Sequence, residues 1–201
     1  MVADLRRQGI RDERVLAAMD AIPRHLFIED SLLYHNTYLA QAFPIGCLQT
    51  LSRPYTVAFQ SEQLEIQPGM KVLEVGTGSG YQAAVLAALG AEVYSVERYK
   101  ELHLSARLRL HRMGFGSVRC YHRDGYKGLA EEAPFDRIIV TAAAREIPEA
   151  LLRQLKKGGW LLIPVGQKSQ VMWRITRRSE QRFAREQLGE FQFVPFLPGK
   201  T

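Results

Sequence analysis

Residues 72–81, Val72-Leu73-Glu74-Val75-Gly76-Thr77-Gly78-Ser79-Gly80-Tyr81, decide the fold. The apolar residues at 72–75 predict a short strand, and the small and apolar residues that follow at 81–89 predict a helix. Glycines between a strand and a helix let the backbone turn sharply and approach a ligand closely. The first turn of the helix also offers backbone N–H groups without partners. The stretch therefore predicts a ligand-binding turn in an α/β fold.

The spacing of the glycines indicates which ligand this turn binds. The dinucleotide fingerprint needs its third glycine where this chain has Tyr81, and here the glycines alternate at Gly76, Gly78 and Gly80. Glu74 precedes them, and a carboxylate there would repel a pyrophosphate but attract the cationic side of S-adenosylmethionine. The pattern favours S-adenosylmethionine over the cofactor of an NAD-dependent oxidoreductase.

Outward from this turn, the chain alternates strands with helices. This alternation predicts a three-layer, Rossmann-like α/β fold with a mostly parallel sheet. After residue 166 the pattern changes to two strands without a long helix between them, which predicts antiparallel pairing at one edge of the sheet. The predicted strands are 72–75, 92–96, 118–121, 138–140, 160–165, 171–176 and 192–196, and the predicted helices of this part are 81–89, 102–113 and 147–155.

The region before the core has one clear helical pattern. Asp12 is a candidate N-cap for a helix that ends before Pro23, and a second short helix is predicted around residues 30–34. Residues 38–54 contain turn residues and no long period, so we expect a loop without regular structure and with a functional role. We predict one domain in three regions: a helical region with a substrate loop (1–60), a cofactor-binding core (61–165) and C-terminal antiparallel strands (166–201).

Two further acidic positions follow the predicted strands. Glu97 ends the second strand about 20 residues after the first glycine, where nucleotide-binding folds hold the ribose hydroxyls. Asp124-Gly125 follows the third strand, where a carboxylate can accept from an adenine amino group. A solvated strand end and an ordinary Asp-Gly turn are the simpler explanations of each position taken alone. Together with the glycine turn, they favour a binding site.

The composition limits the other classes of function. The chain has 201 residues and a net charge of +6, but its arginine-rich segment from Arg174 to Arg185 is interrupted by acidic and apolar residues. We interpret that segment as a solvated face and expect no stable nucleic-acid partner. Cys47 and Cys120 form no metal or disulfide pattern, and no apolar run is long enough for a membrane span. We therefore expect a cytoplasmic protein, without a metal, that acts as a monomer.

Several motifs give the chain a closer resemblance. Over nearly its whole length it resembles the protein-L-isoaspartate (D-aspartate) O-methyltransferase family. The Gln-Thr-x-Ser-x-Pro loop separates that family from other methyltransferases. The segments that carry the resemblance are VLAAM (15–19), IPRHLF (22–27), PIG (44–46), QTLSRP (49–54), the glycine turn with Gln82, SVER (95–98), DG (124–125), PFDRIIVTAA (134–143), IP (147–148) and LIPVG (162–166).

The resemblance implies a reaction and a set of site residues. A methyl group would pass from S-adenosylmethionine to the α-carboxylate of an isoaspartyl residue in a damaged protein, and the ester would close to a succinimide and begin repair. Ser52 would act at the reacting carboxylate, with Val165 and Gly166 on the substrate backbone. The cofactor would be held by Gln49, Thr50, Glu74, Gly76, Gly78, Gly80, Glu97, Asp124, Gly125 and Thr141.

The chemistry needs little more than alignment. A carboxylate is already ionised at neutral pH, so no general base is required, and a Ser52 hydroxyl can donate to one oxygen and orient the other. Cys47, Leu48, Arg53 and Arg123 depart from residues common in the family, and these departures bear on the flexibility and peptide preference of the loop. Two alternatives remain: a methyltransferase for RNA or a small molecule, and a non-catalytic protein that binds S-adenosylmethionine.

Overall fold

A seven-stranded sheet forms the centre of the computed structural model, which describes residues 1–201. Its strand order is β5-β4-β3-β6-β7-β8-β9, with parallel pairing from β5 to β7 and antiparallel pairing from β7 to β9. The predicted sheet and its antiparallel edge are confirmed. The strands are β1 Phe43–Gly46, β2 Gln49–Leu51, β3 Lys71–Val75, β4 Glu92–Glu97, β5 Arg119–His122, β6 Phe135–Val140, β7 Leu155–Gly166, β8 Gln170–Arg177 and β9 Phe183–Phe191.

Helices cover both faces of this sheet. Alternate residues of a strand point to opposite faces, so Val72 and Ile139 pack in one core cluster while Leu73 and Ile138 pack in the other. The first face is covered by α1 to α5 and the second by α6. None of the helices combines the length and the apolar character that crossing a bilayer requires. The helices are α1 Val2–Arg7, α2 Glu13–Ala21, α3 Pro54–Gln63, α4 Tyr81–Ala88, α5 Lys100–Arg112 and α6 Glu149–Arg153.

The N-terminal region begins as expected. Asp12 caps α2, because its side chain accepts a hydrogen bond from the backbone N–H of Arg14. The second short helix is a 3₁₀ helix, Ser31–Tyr38, and Asp30 caps it through the N–H of Leu32. A preceding 3₁₀ helix, Arg24–Phe27, places two fully buried side chains, Arg24 and Phe27, under the rest of this region.

The expected loop at residues 38–54 is a different structure from the one predicted. Its second half forms an antiparallel hairpin of β1 and β2 that leads directly into α3, a helix the sequence did not predict. The hairpin turns through Cys47 and Leu48, which both have left-handed backbone conformations, with φ of 50° and 56°. That geometry matches a two-residue turn with positive φ at both central positions. A two-residue turn of this kind makes the connection between β1 and β2 very short.

The C-terminal prediction needs two corrections. The second antiparallel strand is β9, and residues 192–196 lie beyond it and make only an isolated bridge between Ala143 and Pro195. Pro195 has no backbone N–H to contribute to a ladder, so the segment cannot extend the sheet regularly. The predicted helix 147–155 is also shorter than expected, because β7 already begins at Leu155.

Candidate active site

One cavity lies at the carboxyl ends of β3, β4 and β6. The chain runs from β3 outward through β4 and β5 and then returns to β6 on the other side of β3, so the cavity sits at a topological switch point, where such folds bind ligands. It encloses about 830 Å³ of empty space, part of it open to solvent. Its walls come from the glycine turn (75–79), the end of β4 with the residues after it (96–99), the hairpin and its exit (45 and 49–52), and a C-terminal segment (194–197).

The glycine turn approaches Thr141 so closely that a side chain would not fit. Gly76 has φ of +103°, and a Cβ there would lie 2.3 Å from the Thr141 hydroxyl oxygen. That hydroxyl donates to the carbonyl of Gly76 at 2.7 Å. Gly80, with φ of +92°, occupies the N-cap position of α4. Thr141 lines the cavity, and its hydrogen bond to Gly76 also holds the glycine turn in place.

Glu97 holds the turn from the side of β4. One of its carboxylate oxygens accepts from the backbone N–H of Gly78 at 2.8 Å, and the other accepts from that of Tyr99 at 3.0 Å. The side chain is buried to 5% exposure yet lines the cavity. Each carboxylate oxygen has a second lone pair, so the group can still accept hydroxyl protons from a ligand.

Glu74 lies behind the cavity wall and is not one of the lining residues. Its carboxyl is fully buried and accepts a hydrogen bond from the hydroxyl of Ser95, which is in turn 2.6 Å from the hydroxyl of Thr77. Burial raises the pKa of Glu74 to about 8, against the lowering effect of the Ser95 hydrogen bond. The geometry makes Glu74 a support for the glycine turn, and its direct contact with a cofactor stays a prediction.

The hairpin and its exit bring three predicted site residues to the same cavity: the cofactor residues Gln49 and Thr50 and the acceptor residue Ser52. Gln49, Thr50 and Ser52 all line it, facing the glycine turn across the space. The side-chain amide of Gln49 donates to the carbonyl of Cys47 at 3.3 Å, which braces the tip of the hairpin. The backbone carbonyl of Ser52 accepts a hydrogen bond from the guanidinium of Arg24. Ser52 is therefore part of the cavity wall, and its contact with a methyl acceptor stays a prediction.

Asp124 and Gly125 are placed unequally. Gly125 lines the cavity, and a Cβ there would lie 2.6 Å from Val75 and 2.8 Å from the ring of Phe196. Asp124 does not line the cavity, and one of its oxygens caps a short 3₁₀ turn through the N–H of Tyr126 at 3.0 Å. The contact of Asp124 with adenine stays a prediction, whereas the close packing at Gly125 explains why that position has no side chain.

Val165 and Gly166 lie outside this cavity. Val165 faces a shallow depression that it shares with Ile147 and Trp173, and the N–H of Gly166 donates to the carbonyl of Ala144 at 2.9 Å. Gly166 has φ of +141°, and a Cβ there would lie 2.1 Å from the carbonyl oxygen of Ser169. The structure therefore does not bring these two residues together with Ser52 around one space, and their contact with substrate stays a prediction.

The sequence did not indicate the C-terminal wall. Residues 194–197 line the cavity, held by the backbone bonds that Ala143 makes with Val194 and Phe196, both 2.8 Å. Phe196 stacks on Tyr126 with ring centroids 4.1 Å apart. The only signal was Pro195, which interrupts the strand pattern and should have marked the segment as irregular.

Two arginines of the arginine-rich segment, Arg174 and Arg177, make structural bonds. Arg174 pairs with Glu186 at 2.7 Å and with Glu65 at 3.1 Å. Arg177 donates to the carbonyls of Arg153 and Leu155. These contacts connect β8 to its neighbours, and the interpretation of this segment as an ordinary solvated face stays a prediction.

The residues present fit S-adenosylmethionine. The backbone of Gly76 and Gly78 lines the cavity and can approach a ligand closely, and Glu97 offers a carboxylate for hydroxyl groups. The N–H of Gly78, which a pyrophosphate at this turn would need, is already bonded to the Glu97 carboxylate at 2.8 Å, so the turn is poorly suited to a pyrophosphate. A nucleoside whose ribose hydroxyls reach Glu97 matches this set of groups better than a dinucleotide does.

Comparison with known proteins agrees with this geometry. The model of the family described as Protein-L-isoaspartate(D-aspartate) O-methyltransferase (PCMT) matches residues 1–201. A protein-L-isoaspartate O-methyltransferase of Christiangramia forsetii is 52% identical over 201 residues, which are 100% of this chain and 94% of the relative. One of Aliivibrio fischeri is 51% identical over 196 residues, 98% of this chain and 93% of the relative.

A solved structure extends the likeness to three dimensions. It is described as a candidate protein-L-isoaspartate O-methyltransferase of Plasmodium falciparum in complex with S-adenosyl-L-homocysteine. It is 26% identical, covers 98% of this chain and 96% of its own, and superposes with a TM-score of 0.85. The chain belongs to the protein-L-isoaspartate (D-aspartate) O-methyltransferase family.

Proposed function

We propose that this protein transfers a methyl group from S-adenosylmethionine to the α-carboxylate of L-isoaspartyl residues in damaged proteins, with D-aspartyl residues as a second acceptor. The ester that forms then closes to a succinimide, which starts repair of the linkage. One observation carries the proposal: Ser52 lines the same cavity as the glycine turn and Glu97. A methyl donor held by the turn and an acceptor held at Ser52 would share one space.

The cofactor would be held by the parts of the core that the structure brings together. Gly76, Gly78 and Glu97 line the cavity, so the turn would approach the cofactor through its backbone and Glu97 would accept from ribose hydroxyls, with Gly125 and Phe196 in the wall beside the adenine. When bound, S-adenosylmethionine supplies a methyl group on a positively charged sulfur. Gln49 and Thr50 lie between that site and Ser52 in the cavity wall.

The protein's own task is to align the acceptor and to exclude water. A carboxylate is ionised at neutral pH and needs no base to become a nucleophile. The Ser52 hydroxyl donates to one carboxylate oxygen and leaves the other free to attack the methyl group. Holding the reacting groups in line accounts for most of the rate gain in such a displacement. The walls at residues 49–52 and 194–197 keep bulk water from the reacting atoms.

The rest of the substrate needs a path across the surface. A wider groove begins at Arg53, the residue after Ser52, and runs between Tyr55, Lys168 and Phe191. Its mixture of aromatic and charged side chains suits an extended polypeptide on either side of the modified residue. In this proposal residues 1–60 supply the acceptor side, 61–165 the cofactor side and 166–201 the remaining wall, in a cytoplasmic protein that acts as a monomer.

The test compares methyl transfer from labelled S-adenosylmethionine to two peptides that differ only in one residue, L-isoaspartate or normal aspartate. We expect base-labile label on the isoaspartyl peptide alone. Label on neither peptide, in a protein that binds S-adenosylmethionine, would contradict the proposal. Adding transfer RNA and a panel of small carboxylic acids would then identify a different acceptor, and no transfer to any of them would favour a binding protein without activity.

A further inference from the structure

Arg24 is the largest fully buried side chain of the protein, with 0% exposure. It lies in the 3₁₀ helix Arg24–Phe27, outside the strands that carry the glycine turn. Its Nε donates to the carbonyl of Thr37 at 2.7 Å, and one terminal nitrogen donates to the carbonyl of Ser52. The guanidinium carbon sits 4.9 Å from the ring centroid of Tyr81, the residue that begins α4 directly after the glycine turn. Arg24 thus contacts two residues that line the cavity, Ser52 and Tyr81.

This arginine forms no ion pair with a carboxylate. Its remaining terminal nitrogen, Nη1, and the hydroxyl of Tyr81 are both buried and have no partner elsewhere, and the interaction between these two side chains opposes the pKa shifts that burial causes in both. Burial lowers the pKa of Arg24 to about 10, so the group stays charged at neutral pH. A buried charge without a counter-charge is expensive, and an apolar side chain could fill the same space at lower cost. Such an arrangement calls for a role other than stability.

The segment that Arg24 holds has little other support. Ser52 follows the end of β2 at Leu51 and precedes α3, which begins at Pro54. Ser52 therefore belongs to neither the hairpin ladder nor the helix. The hairpin before it turns through Cys47 and Leu48. Both have a left-handed backbone conformation, which is unfavourable for residues other than glycine. The guanidinium of Arg24 holds the carbonyl of Ser52 between these two elements.

We propose that Arg24 is a positioning residue for the methyl acceptor. By bridging the carbonyls of Thr37 and Ser52 and stacking on Tyr81, it sets the Ser52 hydroxyl against the cofactor side of the cavity. Only a planar guanidinium can donate in two directions and stack at the same time, so lysine cannot replace it. The expected effect of Arg24 on catalysis rests on the proposed function. Its expected effect on how rigidly residues 47–53 are held does not.

The experiment uses three variants of the full chain. Arg24→Lys keeps the charge and loses the bridge, and Arg24→Met loses both. Arg137→Lys is the matched control, because Arg137 is also buried, donates to a backbone carbonyl (Leu64, 2.7 Å) and stacks on an aromatic ring (Trp160, 3.2 Å), but does not line the cavity. For each we would measure kcat and KM for an isoaspartyl peptide, Kd for S-adenosylhomocysteine, and hydrogen exchange of residues 47–53.

We expect both Arg24 variants to lose about 10- to 100-fold in kcat/KM for the peptide, as small misplacements of an acceptor do. Their Kd for S-adenosylhomocysteine should change less than about threefold, and their 47–53 segment should exchange faster. Arg137→Lys should keep wild-type kcat/KM and exchange in that segment, even if it unfolds more easily.

Three results would overturn the inference. The first is a wild-type kcat/KM in either Arg24 variant. The second is activity that lysine restores and methionine does not, which would point to the charge alone. The third is a loss of cofactor binding as large as the loss of activity. If Arg24→Met does not fold, Arg24→Lys and the exchange data decide. An inactive wild-type protein would refute the proposed function, while the exchange comparison would still test the role of Arg24.

Discussion

Replacing Glu74 by glutamine should change how the stability of this protein depends on pH. The Glu74 carboxyl on β3 is fully buried, bonded to Ser95, and has one oxygen without a partner. Burial raises its pKa from 4.5 to about 8, and nearby Glu97 adds to the increase. In the folded protein at neutral pH this carboxyl is therefore mostly protonated, whereas in the unfolded chain it is ionised.

The sign and size of the effect follow from proton linkage. Below pH 4.5 the carboxyl is neutral in both states and costs nothing. Between 4.5 and about 8 the folded state binds the extra proton, so each unit of rising pH favours the unfolded state by about 1.4 kcal/mol. Over the whole interval the penalty reaches roughly 5 kcal/mol, a large part of the stability of an ordinary domain. Glutamine cannot ionise, so Glu74→Gln should avoid this penalty.

The assay is denaturant unfolding of both proteins at several pH values from about 5 to about 8. The informative quantity is the difference between the two unfolding free energies, because Asp12, Asp136 and other groups contribute equally to both curves. We expect Glu74→Gln to gain on the wild type steadily as the pH rises. Glu92→Gln, which removes an exposed carboxyl from β4, supplies the baseline. A difference that stays constant from pH 5 to 8 would refute a neutral, buried Glu74.

Three further substitutions test the site and the core. Ser52→Ala should lower kcat for an isoaspartyl peptide by about 10- to 100-fold with little change in the Kd of S-adenosylmethionine measured by calorimetry, and equal losses in both would remove Ser52 from the acceptor role. Glu97→Gln loses a charged acceptor for the N–H of Gly78, so the Kd of S-adenosylhomocysteine should rise about 10- to 100-fold, and unchanged binding would be inconsistent with a ribose contact. Phe27→Ala empties a fully buried position against Tyr81 and should cost about 3–5 kcal/mol in urea unfolding, whereas a cost below about 1 kcal/mol would mean that the N-terminal region contributes little to the core.

The sheet could be predicted because its central strands have a simple hydrophobic pattern. Residues such as Leu73 and Ile138 on one face and Val72 and Ile139 on the other are all apolar, so the central strands appear as mostly apolar runs. Glycines or prolines mark most of the intervening turns. The position of Glu97 followed from the same regularity, because the distance from the first glycine spans one helix and one strand.

Helix α3 could not be predicted for the opposite reason. Its buried face carries polar residues, among them Gln60, whose side-chain amide donates to the carbonyl of Val140 at 3.2 Å, and Ser61, which accepts from Gln82 at 2.9 Å. These contacts satisfy the buried groups only in the folded state, and the sequence shows a mixed segment without an apolar period. A pattern of hydrophobicity does not reveal polar groups whose partners come from distant strands.

The same limit explains why the cofactor side of the site was easier to predict than the acceptor side. The glycine turn acts through its own backbone, so its residue types and spacing carry the information. The side of the site proposed to hold the methyl acceptor depends on hydrogen bonds from Arg24 to the backbone carbonyls of Thr37 and Ser52. Any residue can supply a backbone carbonyl, so residue types do not reveal these bonds. Because Arg24 stacks on Tyr81, the two sides are physically connected at the start of α4. The proposed role of Arg24 would couple the position of the methyl acceptor to the packing of the N-terminal region on the core, and it predicts that mutations in that region alter turnover before they alter cofactor binding.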